Sequence, residues 1–497
     1  MPEIGTVIST PEGPSSSNFS FVLNSSEPVR KGQYIQTQMK EGILIARVAE
    51  IYKSNKYYSQ AETVKEYEKD GKKMNDVFPA ENWEYLVANA IPLGVFSEGR
   101  QERTNFPPSP GQKIFSVDEK ILAEFLGLDI NGNGIKIGKI AFHDVEVVLG
   151  ITKLFQKHAA ILAMSGAGKS HLSSVIIEEL LENSSASVIV FDPHGEYTGF
   201  ANDEKLMGRV KVFDKRNISI AANKLSASML SELITELSPV QRRELNSLLR
   251  ELKEENPGFD FEDLLKYVEE SQMNPKTQEP LLSWLDDISS SGLFSAVDSP
   301  SVEELARSNQ LSVFDLSDFV SLRDRQIILT VFARKLFNSR REKKIPPFIL
   351  FVEEAHQFCP QDVERSLSIS RNIVEQIARE GRKFNSCLVL ISQRPINLST
   401  TALSQCNTHI ILRVTNPYDL DHIQKSSEGL TSDVINTIPG LKVGEAYVVG
   451  EAVNYPILLQ VRDRKTSKTG KGMKLEEELK DYSRQIAVRK EDAKAFL

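Results

Sequence analysis

The sequence predicts an α/β fold built on a parallel β-sheet, with a small N-terminal β-barrel domain and a helical-bundle insertion. Apolar strands alternate with helical segments from about residue 150 onward, which is the signature of a parallel sheet. Short strands separated by turn residues fill the first 100 residues, and amphipathic helical segments interrupt the alternation further on. We therefore divide the chain into four regions. They are a barrel domain (residues 1–149), a sheet core in two parts (150–224 and 306–461), the helical insertion between these parts (225–305) and a charged tail (462–497).

The composition is that of an ordinary globular protein, with 40% hydrophobic and 26% charged residues. No apolar run approaches the roughly 18 residues that span a bilayer, and the N-terminus does not resemble a signal peptide, so we expect a cytoplasmic protein without a membrane partner. The net charge of −8 disfavours a protein that binds nucleic acid over much of its surface. It does not exclude a ring that holds DNA in its centre through a few basic loops. The cysteines are three in number and far apart, which predicts free thiols: Cys359, Cys387 and Cys406.

The N-terminal region reads as short strands at close spacing, which favours a small closed barrel. A polar stretch rich in Lys, Glu and Tyr interrupts these strands, and a short helix and a second pair of strands follow the proline-rich connector. The predicted strands are 5–8, 19–23, 34–37, 43–51, 136–140 and 145–149, with the polar insertion at 53–84 and the helix at 115–126.

The core strands are near-continuous apolar runs, as expected for strands that are covered on both faces. They are predicted at residues 159–163, 187–192, 310–315, 348–352, 387–392 and 409–414.

Between the second and third core strands, apolar residues recur at helical spacing in four sets, which predicts a small helical bundle. The alternative is that these helices merely cover the sheet. Prolines fall between or before the sets and are expected to end the helices. The sets begin at Leu230, Leu245, Phe261 and Leu281, and the prolines are Pro239, Pro257, Pro275 and Pro280.

A phosphate-binding loop is predicted at residues 163–170, A-M-S-G-A-G-K-S, because this glycine-rich stretch joins an apolar strand to a helical run. Lys169 would neutralise the β- and γ-phosphates of ATP, and the Ser170 hydroxyl would hold Mg²⁺. Ala163 stands where the usual pattern has its first glycine, and the alternative is a plain turn between core elements. The predicted nucleotide-binding residues are Ser165, Gly166, Ala167, Gly168, Lys169, Ser170 and His171.

Two consecutive acids end the strand at 348–352 and are predicted to complete the site. Glu353 would reach Mg²⁺ through water, and Glu354 would act as the general base for the attacking water. Asp192, at the end of the second core strand, is placed to assist. The alternative is that the paired acids are solvated residues at a strand end.

Further catalytic candidates lie in the last third of the core. Gln393 follows a core strand and could sense the γ-phosphate. Arg379 and Arg382 lie about one helical turn apart, and either could be supplied across a subunit boundary to stabilise transition-state charge. Ordinary ion pairs at a helix end are the alternative for these two arginines.

The charged tail from Arg462 onward is either solvated or a strap over a neighbouring subunit.

These motifs, in their order, resemble the HerA branch of the HerA/FtsK translocase superfamily. The resemblance rests on the phosphate loop, D-P-H-G-E-Y (192–197), F-V-E-E-A-H (351–356), R-E-G-R-K-F (379–384) and S-Q-R-P (392–395), and more loosely on P-V-R-K-G-Q-Y (28–34) in the barrel. It implies a RecA-like P-loop ATPase core that uses ATP and Mg²⁺, a homo-hexameric ring, translocation on double-stranded DNA and a NurA-like nuclease partner in DNA repair. By position, Glu354 would be the catalytic acid, and Arg365 and Arg371 would contact DNA.

Two other functions share the same ATPase core. One is an ATPase that remodels or gates a protein partner, and the other is a ring that serves as a platform for an antiphage effector. A small-molecule kinase is disfavoured, since the chain shows no lid-like segment for a phosphoryl acceptor and carries the paired acids that activate water.

Overall fold

The structure is a computed structural model that describes residues 1–11, 13–24, 28–69, 71, 73–364, 368–466 and 482. The chain divides into two compact units. The first contains Met1–Leu172, Gln393–Ile396 and Ser404–Arg462, and the second contains Ser173–Ser392, Asn397–Leu403 and the described residues from Asp463 onward. Among the described residues, no helix combines the length and apolar character needed to cross a membrane.

The first unit begins with a closed antiparallel barrel. Six strands follow one another in the order β2-β1-β7-β3-β4-β5, β5 pairs back onto β2, and β6 extends β5 as a hairpin. Their inward side chains, including Phe19, Phe21, Ile35 and Leu44, are buried together in one core. The predicted barrel is therefore confirmed. The strands are β1 Glu3–Ile8, β2 Phe19–Leu23, β3 Tyr34–Met39, β4 Gly42–Asn55, β5 Glu84–Ser97, β6 Arg100–Glu102 and β7 Lys113–Ser116.

The polar insertion forms three short helices between β4 and β5, namely α1 Ala61–Glu68, α2 Met74–Val77 and α3 Ala80–Trp83. The helix predicted at 115–126 is partly wrong, because β7 takes the first residues of that range and α4 spans Glu119–Phe125. The Asp118 carboxylate explains this start, since it accepts the backbone N–H groups of Lys120 and Ile121 as an N-cap.

Beyond the barrel, the first unit continues with β8 Ile135–Ile140, β9 Glu146–Leu149, α5 Ile151–Phe155 and β10 Ala159–Leu162. Strands β8 and β9 pair with each other, and neither pairs with a barrel strand, although both lie within the residues 1–149 assigned to the barrel domain. Helix α6, Lys169–Asn183, follows β10 and contains residues of both units.

The second unit is built on five parallel strands in the order β12-β15-β11-β16-β17. Every residue of β11 and β16 is buried, which explains their continuous apolar sequences. Because parallel strands end at a common edge, Asp192 and the residues that follow Val352 emerge together. The strands are β11 Ser187–Asp192, β12 Val210–Phe213, β15 Gln310–Asp315, β16 Phe348–Val352 and β17 Ser386–Ser392, with a small separate pair, β13 Ile220–Ala221 and β14 Phe294–Ser295.

The helical insertion forms a bundle in which one long helix contacts the other three. Its helices are α7 Ala227–Leu233, α8 Pro239–Glu255, α9 Phe261–Glu269 and α10 Pro275–Ser289. Capping boxes open α8 at Ser238 and α9 at Asp260. The first phased set overruns its helix, because α7 ends at Leu233 and Leu237 lies beyond it.

Pro280 does not end a helix, contrary to the prediction. It lies inside α10, which begins at Pro275 behind the Asn274 N-cap. A proline at the first helical position removes no intrahelical hydrogen bond, whereas Pro280 removes one. Burial of Leu281, Leu285 and Ile288 on the bundle face offsets this loss.

The remaining helices of the second unit surround its strands, and α12 contacts α13 and α14. They are α11 Val302–Leu305, α12 Leu322–Arg341, α13 Ala355–Phe358, α14 Arg371–Glu380 and α15 Thr400–Leu403. The chain then returns to the first unit, where β18 pairs in parallel with β10, and β19 and β20 connect β18 to β8 in antiparallel order. These last elements are α16 Pro417–Ser426, α17 Ser432–Ile435, β18 Thr408–Ile411, β19 Glu445–Gly450 and β20 Ile457–Val461.

Replacing Pro280 by alanine is expected to stabilise the bundle, because it restores a backbone donor inside α10 and removes the clash of the proline ring. We expect the free energy of unfolding to rise by about 1–3 kcal/mol. The matched control is Pro275→Ala at the first helical position, which should give no gain. Thermal denaturation of both variants checks this, and equal midpoints for the two would contradict the account.

Candidate active site

The phosphate loop connects β10 to α6 in the first unit. Gly166 and Gly168 have φ angles of 75° and 105°, the left-handed region that favours glycine. Helix α6 begins at Lys169, which is only 6% exposed, so the loop leads directly into a helix N-terminus, where backbone N–H groups favour anions. Ala163 is fully buried and does not have a positive φ, so this position does not require a glycine.

The other loop residues differ in their exposure. Ser165 is exposed, Ala167 is buried and Ser170 is half-buried in the first turn of α6. His171 directs its Nε2 to the carbonyl oxygen of Arg462 at 2.8 Å. A contact between the His171 imidazole and nucleotide therefore stays a prediction, and the ring already has a partner in the chain that follows β20.

A buried polar cluster forms at the carboxyl ends of β11 and β16 in the second unit. The Tyr197 hydroxyl donates to Glu353 Oε1 and lies 2.6 Å from the Ser173 Oγ. Asp192 accepts the backbone N–H groups of Tyr197 at 2.9 Å and His194 at 3.1 Å. These four side chains, Ser173, Tyr197, Asp192 and Glu353, are all buried. The structure thus brings two of the predicted acids into one cluster with a tyrosine and a serine.

The electrostatics of this cluster follow from its burial. Burial raises the pKa of Asp192 to about 7, although its backbone hydrogen bonds act in the opposite direction, and the nearby Glu353 charge adds to the rise. Burial also raises the pKa of the Tyr197 phenol well above its ordinary value, so this hydroxyl keeps its proton and remains a donor. Perturbed acids at the end of a strand are typical of functional sites.

Glu354 occupies the turn between β16 and α13. Its backbone has a φ of 49°, in the left-handed region, which is strained for a glutamate and often marks a functional position. Its carboxylate is buried, with Oε2 at 3.4 Å from His356 Nδ1. His356 Nδ1 also lies 3.1 Å from the Ser392 Oγ at the end of β17. Three neighbouring strand ends are therefore connected by polar contacts.

The two candidate arginines differ in their surroundings. Arg379, on α14, lies 3.5 Å from Glu375, which also accepts a hydrogen bond from Arg371. Arg382 lies in the following 3₁₀ turn with an exposed side chain, and among the described residues that side chain has no hydrogen-bond or ion-pair partner. Gln393 directly follows β17 and is half-buried.

The proposed DNA-contacting arginines gain no support. Arg365 lies outside the described residues. Arg371 donates to the Glu375 carboxylate and to the Gln361 carbonyl oxygen, each at 2.8 Å, so its guanidinium is committed to internal partners.

The beginning of the tail is not solvated, since the backbone N–H groups of Lys465 and Thr466 donate to the buried Glu178 carboxylate on α6. Apart from residue 482, the rest of the tail lies outside the described residues.

The donor set fits Mg²⁺ bound together with nucleotide. Among the described residues, no group of three or more His, Cys, Asp or Glu side chains could hold a metal alone. Mg²⁺ in nucleotide sites is usually held by one or two protein oxygens, with phosphate and water supplying the others. The Ser170 hydroxyl and the Glu353 carboxylate are oxygen donors of this kind, and their use as Mg²⁺ ligands stays a prediction.

Tyr197 and Ser173 are the polar members of the cluster that the sequence reasoning did not assign. Tyr197 ends the D-P-H-G-E-Y motif, and Ser173 stands three residues after Ser170 on α6. The spacing of three residues was the available signal, because it places both serines on one face of the helix.

Replacing Asp192 by asparagine is expected to flatten the pH dependence of stability. The folded-state pKa of about 7 lies well above the ordinary pKa of an aspartate, so the stability that protonated Asp192 contributes is present at low pH and is lost as pH rises towards 7. The thermal midpoint of the unsubstituted protein should therefore fall relative to that of Asp192→Asn between pH 5 and 8. Denaturation without metal or nucleotide checks this, with the exposed Asp421→Asn as control, and parallel pH profiles would contradict it.

Comparison with known proteins agrees with these features. Residues 135–336 match the family model described as "Helicase HerA, central domain". The DNA double-strand break repair helicase HerA of Pyrococcus furiosus is 28% identical, over 89% of this chain and 90% of its own length. The protein of the same description from Sulfolobus acidocaldarius is 28% identical, over 82% and 86%.

A solved structure supports the fold. VirB4 of Thermoanaerobacter pseudethanolicus superposes with a TM-score of 0.54 at 18% identity, covering 68% of this chain and 98% of that chain. At this identity the similarity concerns the fold, and it agrees with the P-loop core described above. The resemblance to the HerA branch that the motifs predict is confirmed.

Proposed function

We propose that this protein is an ATP-driven translocase or helicase that acts on double-stranded DNA as a homo-hexamer, together with a NurA-like nuclease in DNA end resection and recombinational repair. One observation carries the ATPase part of the proposal. The hydroxyl chain from Ser173 through Tyr197 to Glu353 connects the acid cluster to the helix that begins with Lys169. Ser173 lies about one turn from Ser170, the proposed metal ligand, on that helix.

In the proposed reaction, water attacks the γ-phosphorus of ATP, the bond from that phosphorus to the bridging oxygen breaks, and ADP and phosphate leave. Glu354 orients the water and accepts its proton, and His356 lies within reach of the Glu354 carboxylate. Lys169 and the N-terminus of α6 stabilise the charge on the phosphates. Ser170 and Glu353 would hold Mg²⁺, which when bound supplies further neutralisation of the phosphate charge.

We expect a neighbouring protomer to supply a further positive charge, an arginine guanidinium, to the γ-phosphate. Arg382 fits this role better than Arg379, because its guanidinium is exposed and has no partner among the described residues, whereas Arg379 faces Glu375. A guanidinium without an internal partner is available to an adjacent γ-phosphate, and its use there would couple hydrolysis in neighbouring subunits.

The DNA substrate is inferred from the relatives, two of which are described as DNA double-strand break repair helicases. Contacts to DNA phosphates would make binding independent of sequence and sensitive to salt. An ATPase that instead remodels or supports a protein effector would respond to that protein and not to duplex DNA.

Replacing Lys169 by alanine is expected to lower ATP hydrolysis at least 100-fold, since it removes the charge that faces the β- and γ-phosphates. Duplex DNA should stimulate the unsubstituted protein and not Lys169→Ala. The exposed Lys153→Ala on α5 is the matched control and should hydrolyse ATP normally. Unchanged hydrolysis in Lys169→Ala would refute the ATPase assignment, and an unsubstituted protein that ignores duplex DNA would favour the protein-effector alternative.

Arg382→Ala is expected to abolish hydrolysis alone and to regain it when mixed with Lys169→Ala. In mixed rings, an Arg382→Ala protomer keeps its phosphate loop and receives an arginine from its Lys169→Ala neighbour. Random equal mixing should restore about a quarter of the normal rate if each site uses one arginine from one neighbour. Lys383→Ala, at the adjacent exposed position, is the control. No recovery on mixing would show that Arg382 does not act between subunits.

A further inference from the structure

We infer that Tyr197 is a positioning residue that holds the Glu353 carboxylate in place for Mg²⁺ and thereby sets the metal requirement of the site. The inference rests on the proposed ATPase function and assigns a role within it to a residue outside the predicted catalytic set.

The position of Tyr197 is fixed from several sides. Its side chain is fully buried, and its backbone N–H donates to Asp192 Oδ2 at 2.9 Å. Its ring lies beside that of Phe200, with centroids 6.5 Å apart. Gly195, with a φ of 70°, lets the chain turn back between Asp192 and Tyr197. The phenol is therefore held by the backbone and by packing, independently of Glu353.

The Tyr197 hydroxyl has one proton, which fixes the direction of its hydrogen bonds with Glu353 and Ser173. The phenol donates that proton to Glu353 Oε1, so it must accept from the Ser173 hydroxyl, whose Oγ lies 2.6 Å away. The result is a directed chain from Ser173 to Tyr197 to Glu353. A hydrogen bond to a carboxylate in a buried site is stronger than one between neutral groups and restricts rotation of the carboxylate.

The consequence for the metal follows from the helix. Ser173 and the proposed Mg²⁺ ligand Ser170 are three residues apart on α6, so their Cβ atoms are about 5–6 Å apart. Tyr197 thus connects helix α6, at Ser173, to the carboxylate of the proposed ligand Glu353. Groups that hold a metal ligand in this way usually affect metal affinity or activity by about 10–100-fold when they are removed.

The test is Tyr197→Phe, which keeps the ring and deletes the hydroxyl. We expect Mn²⁺ binding to the complex with a non-hydrolysable ATP analogue, followed by electron paramagnetic resonance, to weaken about 10-fold. The Mg²⁺ concentration for half-maximal hydrolysis should rise similarly. Analogue binding without metal should change less than twofold.

Two further variants make the test specific. Ser173→Ala removes the hydroxyl that donates to the Tyr197 phenol, and it should also weaken Mn²⁺ binding, by a smaller factor than Tyr197→Phe. This variant tests the inference if Tyr197→Phe does not fold. Tyr34→Phe removes another buried hydroxyl, which donates to the Pro456 carbonyl at 3.1 Å, and should leave the metal dependence unchanged. Unaltered Mn²⁺ binding in Tyr197→Phe, or an equal shift in Tyr34→Phe, would overturn the inference. Absence of ATP hydrolysis in the unsubstituted protein would instead overturn the proposed function.

Discussion

The short hydrogen-bonded chain from Ser173 through Tyr197 to Glu353 is the constraint on which the proposed active site depends. Helix α6 begins with the lysine and serine of the phosphate loop, and one turn later it contributes the serine that starts this chain. The acids come from the ends of parallel strands, where sheets of this kind place their ligand-binding groups. Helix α6 therefore carries both the Lys169 and Ser170 of the phosphate loop and the serine that contacts Tyr197.

Burial gives these groups their chemistry at a cost in stability. Asp192, Glu353 and Glu354 are all nearly inaccessible to solvent, and buried carboxylates destabilise a fold unless they are hydrogen-bonded. Asp192 is stabilised by backbone donors from its own turn, Glu353 by the Tyr197 phenol, and Glu354 lies near His356. The left-handed backbone at Glu354 adds strain. Such costs are commonly concentrated at catalytic positions.

Much of the fold could be predicted from the sequence, because it depends on local patterns, whereas the roles of the candidate site residues stay predictions. The buried strands β11, β15 and β16 appear as apolar runs, and the glycines of the phosphate loop mark its left-handed turns. Strand partners are harder to predict, since the sequences of β8 and β9 do not show that β8 pairs with β20 and β9 with β8, and that neither joins the barrel. Pro280 lies inside α10, and not at its end as its sequence predicts, because burial on the bundle face outweighs the lost hydrogen bond. The role of Tyr197 depends on a contact across 156 residues, which no local pattern reveals.

The proposed function requires that the phosphate loop and the acid cluster act on one nucleotide. A high-resolution structure of the protein with a non-hydrolysable ATP analogue and Mg²⁺ would test it most directly. The account predicts a cation bound to the Ser170 hydroxyl at about 2.1 Å and separated from Glu353 by no more than one water. A cation coordinated without Ser170, or an analogue bound away from Glu353 and Glu354, would contradict it.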